Sequence, residues 1–281
     1  MGDNGTAKLQ IITASLNHID WIISMANDQG WNPGLQDGLG FHNADPTGFF
    51  IGLLNGQPIC CISAVRQGIL GYIGYYVVKK QYRGRGYGLK LFRHAMEYLQ
   101  GCNIRLDTMM TAVDKYKKLG FKSYYFGFRY TGTIDSKDVS CPNIFPSADV
   151  PFDKIVQYDA RYYGADRKHF LSTWLTIATT NSLVYLDNDT IKGYGAIRQC
   201  QEGYHLGPLY AETSDIAKDL IYSLCQPYGK CKLTLEFTDE NVEGKKLMEH
   251  LNFKPFTRFT NMYTQTPPKV DVRNIYCLTT H

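Results

Sequence analysis

Apolar residues recur along the chain with two periods, and the two periods alternate. Short runs rich in Val, Ile, Tyr and Phe predict strands, whereas apolar residues spaced three and four apart predict helices. In the first half we predict strands at 8–13, 49–54, 59–65, 70–78 and 104–107, a strand pair over 121–130, and helices at 17–27, 86–100 and 114–119. The helix over 86–100 has the clearest apolar face, formed by Leu89, Phe92, Ala95, Met96 and Leu99.

A second series of elements follows in the same order. Residues 131–150 lack periodicity and collect Gly, Ser, Asp and Pro. Beyond them the pattern predicts strands at 154–158, 182–186, 192–198, 204–210, 232–237 and over 253–263, and helices at 166–174, 215–225 and 242–251. The sequence also repeats, because Tyr-Lys-Lys-Leu-Gly-Phe at 116–121 aligns with Met-Glu-His-Leu-Asn-Phe at 248–253. We therefore predict two tandem domains, 1–132 and 151–281, joined by a linker over 133–150.

The composition restricts the classes of function. A chain of 281 residues with 44% hydrophobic residues suits two domains with real cores. The net charge of +4 is small and the basic residues are scattered, so we expect no nucleic-acid partner. No apolar run is long enough to span a bilayer, so we expect no membrane partner. The eight cysteines form no Cys-x-x-Cys pair, and His42, His169 and His205 lack metal-ligand spacing. This predicts no metal and a cytoplasmic location, with the nucleus as an alternative.

A glycine-rich turn between a strand and a helix carries the strongest chemical signal. Residues 73–98 form an apolar strand, a loop with Gly84, Gly86 and Gly88, and the amphipathic helix. Small residues let the backbone approach a ligand, and N–H groups at a helix N-terminus attract anions. Leu89 stands where a dinucleotide-binding loop has its third glycine, which disfavours a Rossmann site. The turn therefore predicts a phosphate cradle.

Residues 81–86, Gln-Tyr-Arg-Gly-Arg-Gly, resemble the Gln/Arg-x-x-Gly-x-Gly/Ala loop of the GNAT superfamily of N-acetyltransferases, in which this loop holds the pyrophosphate of acetyl-CoA. The resemblance implies an α+β fold with two tandem GNAT-like domains, each a central mixed, largely antiparallel sheet flanked by helices. It also implies that N–H groups of Tyr76 and Val78, beyond a bulge near Gly74, contact the thioester carbonyl and the pantetheine. The implied residues that bind acetyl-CoA are Tyr76, Val77, Val78, Gln81, Arg83, Gly84, Arg85, Gly86, Tyr87, Gly88 and Tyr116.

The resemblance further implies roles in proton transfer and acceptor binding. Tyr116, in a Tyr-x-x-x-Gly-Phe context, is the implied general acid for the leaving thiolate. The general base stays open, because the strand before the cradle has no acidic residue. The candidates for the base are Asp107, Asp37, Asp45 and a water chain past Tyr75. The Gly-rich segment 30–48 lies on the acceptor side, with Trp31, Phe41 and His42 as candidate pocket residues.

The two domains differ at positions that matter for this chemistry. GNAT enzymes often carry an Asn seven residues before the Tyr. The first domain has Met109 and Tyr116 at these positions, whereas the second has Asn241 and Met248. The second domain also lacks a Gly- and Arg-containing loop, and a helix N-cap equally explains Asn241. We therefore expect acetyl-CoA in the first domain, with the second domain shaping the acceptor site.

Together these features predict an acetyl-CoA-dependent N-acetyltransferase. The acetyl group would pass to a primary amine, of a small molecule or of a peptide or protein, by direct attack on the thioester. A non-catalytic acyl-CoA sensor or scaffold is the alternative, because the first domain lacks both the strand acid and the Asn. The acceptor, the acyl-chain preference, any ligand of the second domain and the oligomeric state stay open.

Overall fold

Strands from both halves of the chain pair in a single sheet. The computed structural model describes residues 8–136 and 141–279, which form thirteen paired strands. The first half contributes β1 (Gln10–Thr13), β2 (Phe49–Leu54), β3 (Gln57–Gln67), β4 (Leu70–Val78), β5 (Asn103–Met109) and β6 (Lys122–Asp135). The second half contributes β7 (Ile144–Pro146), β8 (Thr180–Asp187), β9 (Thr190–Gln199), β10 (Tyr204–Ala211), β11 (Lys230–Thr238), β12 (Lys254–Tyr263) and β13 (Ile275–Cys277).

Helices pack on this sheet in both halves. They are α1 (Ile19–Asn27), α2 (Asp37–Ala44), α3 (Tyr87–Tyr98), α4 (Val113–Lys117), α5 (Phe152–Tyr163), α6 (Lys168–Trp174), α7 (Ser214–Cys225) and α8 (Val242–His250). Alternation along β3 separates two cores, because Cys61 joins the cluster built by α1, α2 and α6, whereas its neighbour Ile62 joins the cluster built by α3. The predicted fold class, a mixed and largely antiparallel sheet flanked by helices, is confirmed.

The two halves exchange their last long strands. The strands follow the order β1-β2-β3-β4-β5-β12-β6-β11-β10-β9-β8-β7, and β13 pairs with β10. Thus β12 of the second half lies between β5 and β6, and β6 of the first half pairs with β11. Parallel pairing occurs between β4 and β5 and between β10 and β11, at equivalent positions of the repeat. Each half therefore completes the sheet of the other.

The repeat is visible in the turns that lead into the exchanged strands. The N–H of Phe121 donates to the carbonyl of Tyr116 (3.1 Å), and the N–H of Phe253 donates to the carbonyl of Met248 (2.8 Å). The intervening Gly120 and Asn252 have φ of 93° and 59°, the left-handed conformation that ends a helix. The aligned segments 116–121 and 248–253 are therefore also equivalent in conformation.

Several predicted elements need correction. The strand predicted at 154–158 is wrong, because α5 covers it: the buried residues Ile155, Val156, Tyr158, Asp159 and Tyr162 follow a helical period. The strand pair predicted over 121–130 is the single strand β6. The Gly-rich segment contains α2, where a Cβ on Gly38 would lie 2.2 Å from Ile19 and one on Gly40 would lie 2.7 Å from Trp174. Glycine there permits close helix packing.

The segment predicted as a linker has structure at both ends. Residues 133–135 continue β6, and Ile144–Pro146 form β7, which pairs with β8. Part of the predicted linker, 137–140, lies outside the described residues. The division of the chain at 132 and 150 stays a prediction.

Candidate active site between the two halves

Strand β4 separates from β5 at the point where its backbone is distorted. The parallel pairing runs from Leu70↔Asn103 to Ile73↔Leu106 and then stops. On the other side of β4, Gly74 pairs with Ser63 and Val77 with Cys61, so that β4 has one extra residue. This is the bulge predicted near Gly74, and Tyr75 within it has a φ of 44°. A non-glycine residue in this conformation stores strain, which is common at functional sites.

Beyond the bulge, alternate N–H groups of β4 point into the gap. The N–H of Lys79 donates to the carbonyl of Ile59 on β3 (2.9 Å). Because the backbone groups of successive strand residues point to opposite edges, the N–H groups of Tyr76 and Val78 point away from β3. The carbonyl of Val78 agrees with this direction, since it accepts from Arg83 Nε (2.8 Å). The gap thus offers two backbone donors on one side.

The turn between β4 and α3 leaves backbone N–H groups open to a ligand. Gly84 and Gly86 have φ of 76° and 80°, and a Cβ added to either would meet nothing within 4 Å. Gly86 caps α3 without any side-chain hydrogen bond, and the first-turn N–H groups of a helix have no partner within it. Glycine at position 88 has a different reason, because a Cβ there would lie 2.7 Å from the Tyr76 hydroxyl. Gly84 and Gly86 thus have the open backbone that the predicted cradle requires, whereas Gly88 lets α3 pack on β4.

The two arginines of the loop have different environments. Arg83 is held in place, because its Nε donates to the Val78 carbonyl and its Nη2 donates to Gln29 Oε1 (both 2.8 Å). Arg85 is exposed, with its guanidinium 5.9 Å from the centre of the Tyr82 ring. Gln81 is also exposed, and Tyr87 is half-buried. Arg83 therefore fixes the loop against the turn that follows α1, whereas the Arg85 side chain is exposed to solvent.

Tyr116 lies at the mouth of the gap. It is half-buried on α4, with its ring 5.8 Å from Phe92 and 6.2 Å from Phe121. Burial raises the pKa of Tyr116 to about 12, so its phenol is protonated at neutral pH. The ammonium of Lys115 lies 5.5 Å from the centre of the Tyr116 ring, and burial lowers the pKa of that lysine. A protonated phenol at this position can donate to a leaving thiolate.

A cavity of about 390 Å³ joins these groups to the second half. From the first half it is lined by Trp31, Asp37, the bulged part of β4, the end of β5 and Tyr116. From the strands beyond the gap it is lined by Arg129, Arg198, His205, Glu236, Phe256 and Phe259. The exchange of β6 and β12 brings these walls together. Tyr76, Trp31, Asp107 and Tyr116 are predicted site residues that meet here.

The candidate bases are already engaged by other protein groups. Asp107 accepts from Arg105 (2.9 Å), from the Tyr72 hydroxyl (3.1 Å) and from Asn261. Asp37 pairs with Arg198 and accepts from the N–H of Gly34 (2.9 Å). Both carboxylates are therefore held by donors from the protein itself.

Asp45 and two of the three predicted pocket residues lie elsewhere. Asp45 accepts from the Tyr98 hydroxyl and from the N–H of Arg66 (2.9 Å), which ties β3 to the end of α3. Phe41 packs in the core against Trp174, with ring centres 5.1 Å apart. His42 stands 6.2 Å from the Phe49 ring, and neither it nor Phe41 is among the residues that line the cavity.

His205 lines the cavity and was not predicted as a site residue. It is an isolated histidine with no motif around it, so only the opposition of β10 and β4 reveals it. Its pKa lies well below the ordinary value of 6.5, because of burial and the nearby charges of Arg198 and Arg129. His205 is therefore a neutral imidazole at neutral pH.

In the second half, the chain itself occupies the equivalent gap. β10 and β11 pair only at Tyr204↔Leu233 and His205↔Thr234, and β13 then pairs with β10 at Leu209 and Tyr210. The N–H of Leu278, just after β13, donates to the carbonyl of Glu236 on β11 (2.8 Å). Asn241 is buried and donates to the carbonyl of Ile275 (3.0 Å) while it accepts from the N–H of Gly244 (2.7 Å). Asn241 thus caps α8 and holds β13 in the gap.

Family models match both halves of the chain. The model described as "Acetyltransferase (GNAT) family" matches residues 16–121, and the model described as "Acetyltransferase (GNAT) domain" matches residues 155–277. The chain belongs to the GNAT superfamily of acyltransferases and carries two GNAT domains in tandem, as the sequence predicted. In the described part of the chain, none of the helices has the length and apolar character needed to cross a membrane.

Individual proteins are similar over most of the chain. Holothin acyltransferase of Pseudoalteromonas sp. (strain SANK 73390) is 27% identical over 94% of this chain and 91% of its own length. YitH of Bacillus subtilis (strain 168), an uncharacterized N-acetyltransferase, is 24% identical over 76% of this chain and 77% of its own length. The crystal structure of a putative acetyltransferase from Pyrococcus horikoshii has a TM-score of 0.82 at 20% identity and covers 99% of this chain and 97% of that one. A tandem GNAT protein from the clavulanic acid biosynthesis pathway has a TM-score of 0.65 at 12% identity, covering 92% and 100%.

Proposed function

We propose that the protein is an N-acetyltransferase that transfers the acetyl group of acetyl-CoA to a primary amine. The observation that carries the proposal is a convergence on one cavity. Tyr76 of the bulged part of β4, Tyr116 and walls from both halves all line the same space of about 390 Å³. Direct transfer needs this arrangement, because the amine must reach the thioester from the side opposite the phosphates.

The first half holds acetyl-CoA, which supplies an activated thioester. The pyrophosphate binds at the N–H groups of the loop from Gly84 to Gly88, at the N-terminus of α3. Arg85 adds positive charge, and Arg83 keeps the loop in place. The pantetheine follows the gap along Val77 and Val78, where the N–H of Tyr76 polarises the carbonyl. Gln81 and Tyr87 border the loop.

Tyr116 donates a proton to the leaving sulfur. Its raised pKa keeps the phenol protonated, and it releases the proton as thiolate character develops. The second half shapes the acceptor site, with Trp31 of the first half on the opposite wall. The acceptor is a small molecule, which the cavity volume of about 390 Å³ and the likeness to a holothin acyltransferase support.

The experiment compares the binding of CoA to two glycine variants by calorimetry. We expect wild type to bind one CoA per chain and Gly86→Glu to bind none, because the carboxylate would repel the phosphates. The matched control is Gly101→Glu at the other end of α3. Gly101 has a φ of 87° with nothing within 4 Å of its Cβ, so the two variants carry similar backbone strain. Equal CoA binding by both variants would contradict the proposed cradle.

A second measurement separates an enzyme from an acyl-CoA sensor. We expect release of free CoA from acetyl-CoA when a panel of small amines is added, with acetylated amine detected by mass spectrometry. CoA binding together with silence across the panel would favour the sensor.

A further inference from the structure

Among residues 8–136 and 141–279, every carboxylate that lines the cavity is paired with an arginine. The cavity is lined by three carboxylates, of Asp37, Asp107 and Glu236. Each of these carboxylates has an arginine partner: Arg198 for Asp37, Arg105 for Asp107 and Arg129 for Glu236. An ammonium group that entered would lose its hydration without gaining a free counter-ion, which opposes its binding. The charges that line this cavity therefore disfavour a cationic acceptor.

Two polar groups of the second half line the cavity, and one of them carries an unpaired donor. Arg198 is nearly buried, with 9% of its side chain exposed, and its Nε has no partner among residues 8–136 and 141–279. Its guanidinium lies over the Trp174 ring at 4.4 Å, which fixes its plane. His205, on the strand paired with that of Arg198, is half-buried and faces the cavity. These are one donor and one neutral imidazole beside an aromatic wall that includes Trp31 and Phe259.

We propose that the cavity binds its acceptor as an uncharged, weakly basic amine of the arylamine class, and that His205 accepts the proton which this amine loses. The inference rests on the proposed function. It adds the substrate class and a catalytic residue.

The physical reason is that the basicity of the acceptor amine must match the basicity of His205. An alkylamine has a conjugate acid of pKa about 10.4, so only about one molecule in a thousand is neutral near pH 7.5. His205, with its lowered pKa, is too weak a base to deprotonate such an ammonium. An arylamine arrives neutral. Its nitrogen becomes strongly acidic only when it bonds to the carbonyl carbon, and a weak base then suffices.

The step balances in protons and electrons. The nitrogen lone pair forms the N–C bond, and the C–S bond breaks with its electron pair passing to sulfur. Formation of the N–C bond leaves the nitrogen positively charged, and its proton passes to His205. Tyr116 gives its proton to the sulfur. The imidazolium then loses its proton and the phenolate regains one through water, so the products are the amide and free CoA.

The test uses 4-methylaniline and benzylamine, which have nearly the same size and differ in basicity. We expect 4-methylaniline to be acetylated at least ten-fold faster in kcat/KM at pH 7.5, and to shift the Tm of the protein with CoA bound where benzylamine does not. With 4-methylaniline, kcat/KM is expected to stay flat from about pH 8 down to about pH 6, because His205 keeps its base form below its ordinary pKa. The charged groups around His205 are Arg198 of β9, Arg129 of β6 and Glu236 of β11.

Variants separate proton transfer from folding. His205→Gln is expected to lower kcat with 4-methylaniline by about 100-fold while the Kd of CoA and of the arylamine change less than about three-fold. His250→Gln, an exposed histidine on α8, serves as the control and retains wild-type rates. Faster turnover of benzylamine, or full activity of His205→Gln, overturns this inference and leaves the acetyltransferase intact. If CoA binds and no amine of either class is acetylated, the proposed function fails and this inference fails with it.

Discussion

The two halves carry the same strand–helix junction in opposite states. In the first half, α3 begins after Gly86, which has no side chain to cap the helix. In the second half, α7 begins after Thr213, whose hydroxyl accepts from the N–H of Ile216 (3.3 Å). A helix N-terminus needs a partner for its free N–H groups, and either a side chain or a bound anion serves. A junction capped by its own threonine has less capacity for a phosphate.

The strands before these junctions differ in the same way, because the strand of the second half lacks a donor for a ligand. β10 has the bulge of β4, because Leu206 pairs with Ile197 and Leu209 with Gly195. This register makes Pro208 equivalent to Tyr76, and proline has no N–H to offer a thioester. β13 then occupies the gap that stays open in the first half. The second half thus keeps the GNAT shape, whereas its ligand positions are taken by its own chain.

The largest expected effect concerns the residue that holds β13. Asn241→Ala removes one donor and one acceptor from a buried site, which leaves the N–H of Gly244 and the carbonyl of Ile275 unpaired. We expect a loss of about 3 kcal/mol in the free energy of unfolding, measured by urea denaturation. The matched control is Met109→Ala at the equivalent position of the first half. Met109 is 55% exposed, so its replacement is expected to cost less than about 0.5 kcal/mol. Similar losses in the two variants would contradict the role of Asn241.

The next effect tests the acid that only the first half retains. Tyr116→Phe removes the phenol hydroxyl and keeps the ring contacts with Phe92 and Phe121. We expect kcat to fall by about 100-fold, about 2.7 kcal/mol in the barrier, with little change in the Kd of acetyl-CoA. Tyr204→Phe removes a hydroxyl outside the cavity, where the ring packs on Tyr228, and is expected to retain wild-type kcat. Unchanged turnover in Tyr116→Phe would exclude the acid role.

Local sequence patterns predicted most helices and strands of the first half, but they did not predict how its strands pair. The strand predicted at 70–78 is β4, Leu70–Val78, and the glycine turn leads into α3 as expected. The exchange of β6 and β12 was not predicted, because both strands carry the same alternation and only distant partners distinguish them. Helix α2 was missed because glycines in a sequence usually indicate a loop. Gly38 and Gly40 are glycines because a Cβ at either position would clash with a neighbouring side chain.

The candidate site shows the same difference between local and distant signals. Motifs predicted the loop and Tyr116, both of which are local in sequence. They did not predict His205 or Arg198, because these residues reach the cavity only when the second half folds against β4. Asn241 had two interpretations from the sequence, the Asn that GNAT enzymes often carry seven residues before the Tyr and a helix cap. The cap is the observed one, and the amide also binds the chain where a ligand would lie.

The smallest expected effect asks whether capping alone separates the two junctions. Thr213→Ala removes the cap of α7 and is expected to cost about 1 kcal/mol in the free energy of unfolding, from the midpoint of urea denaturation. It frees N–H groups at α7, but β13 still fills the gap and Pro208 still lacks an N–H. We therefore expect calorimetry to give one CoA per chain for this variant, as for wild type. A second CoA per chain would show that the cap, rather than β13, excludes the ligand from the second half.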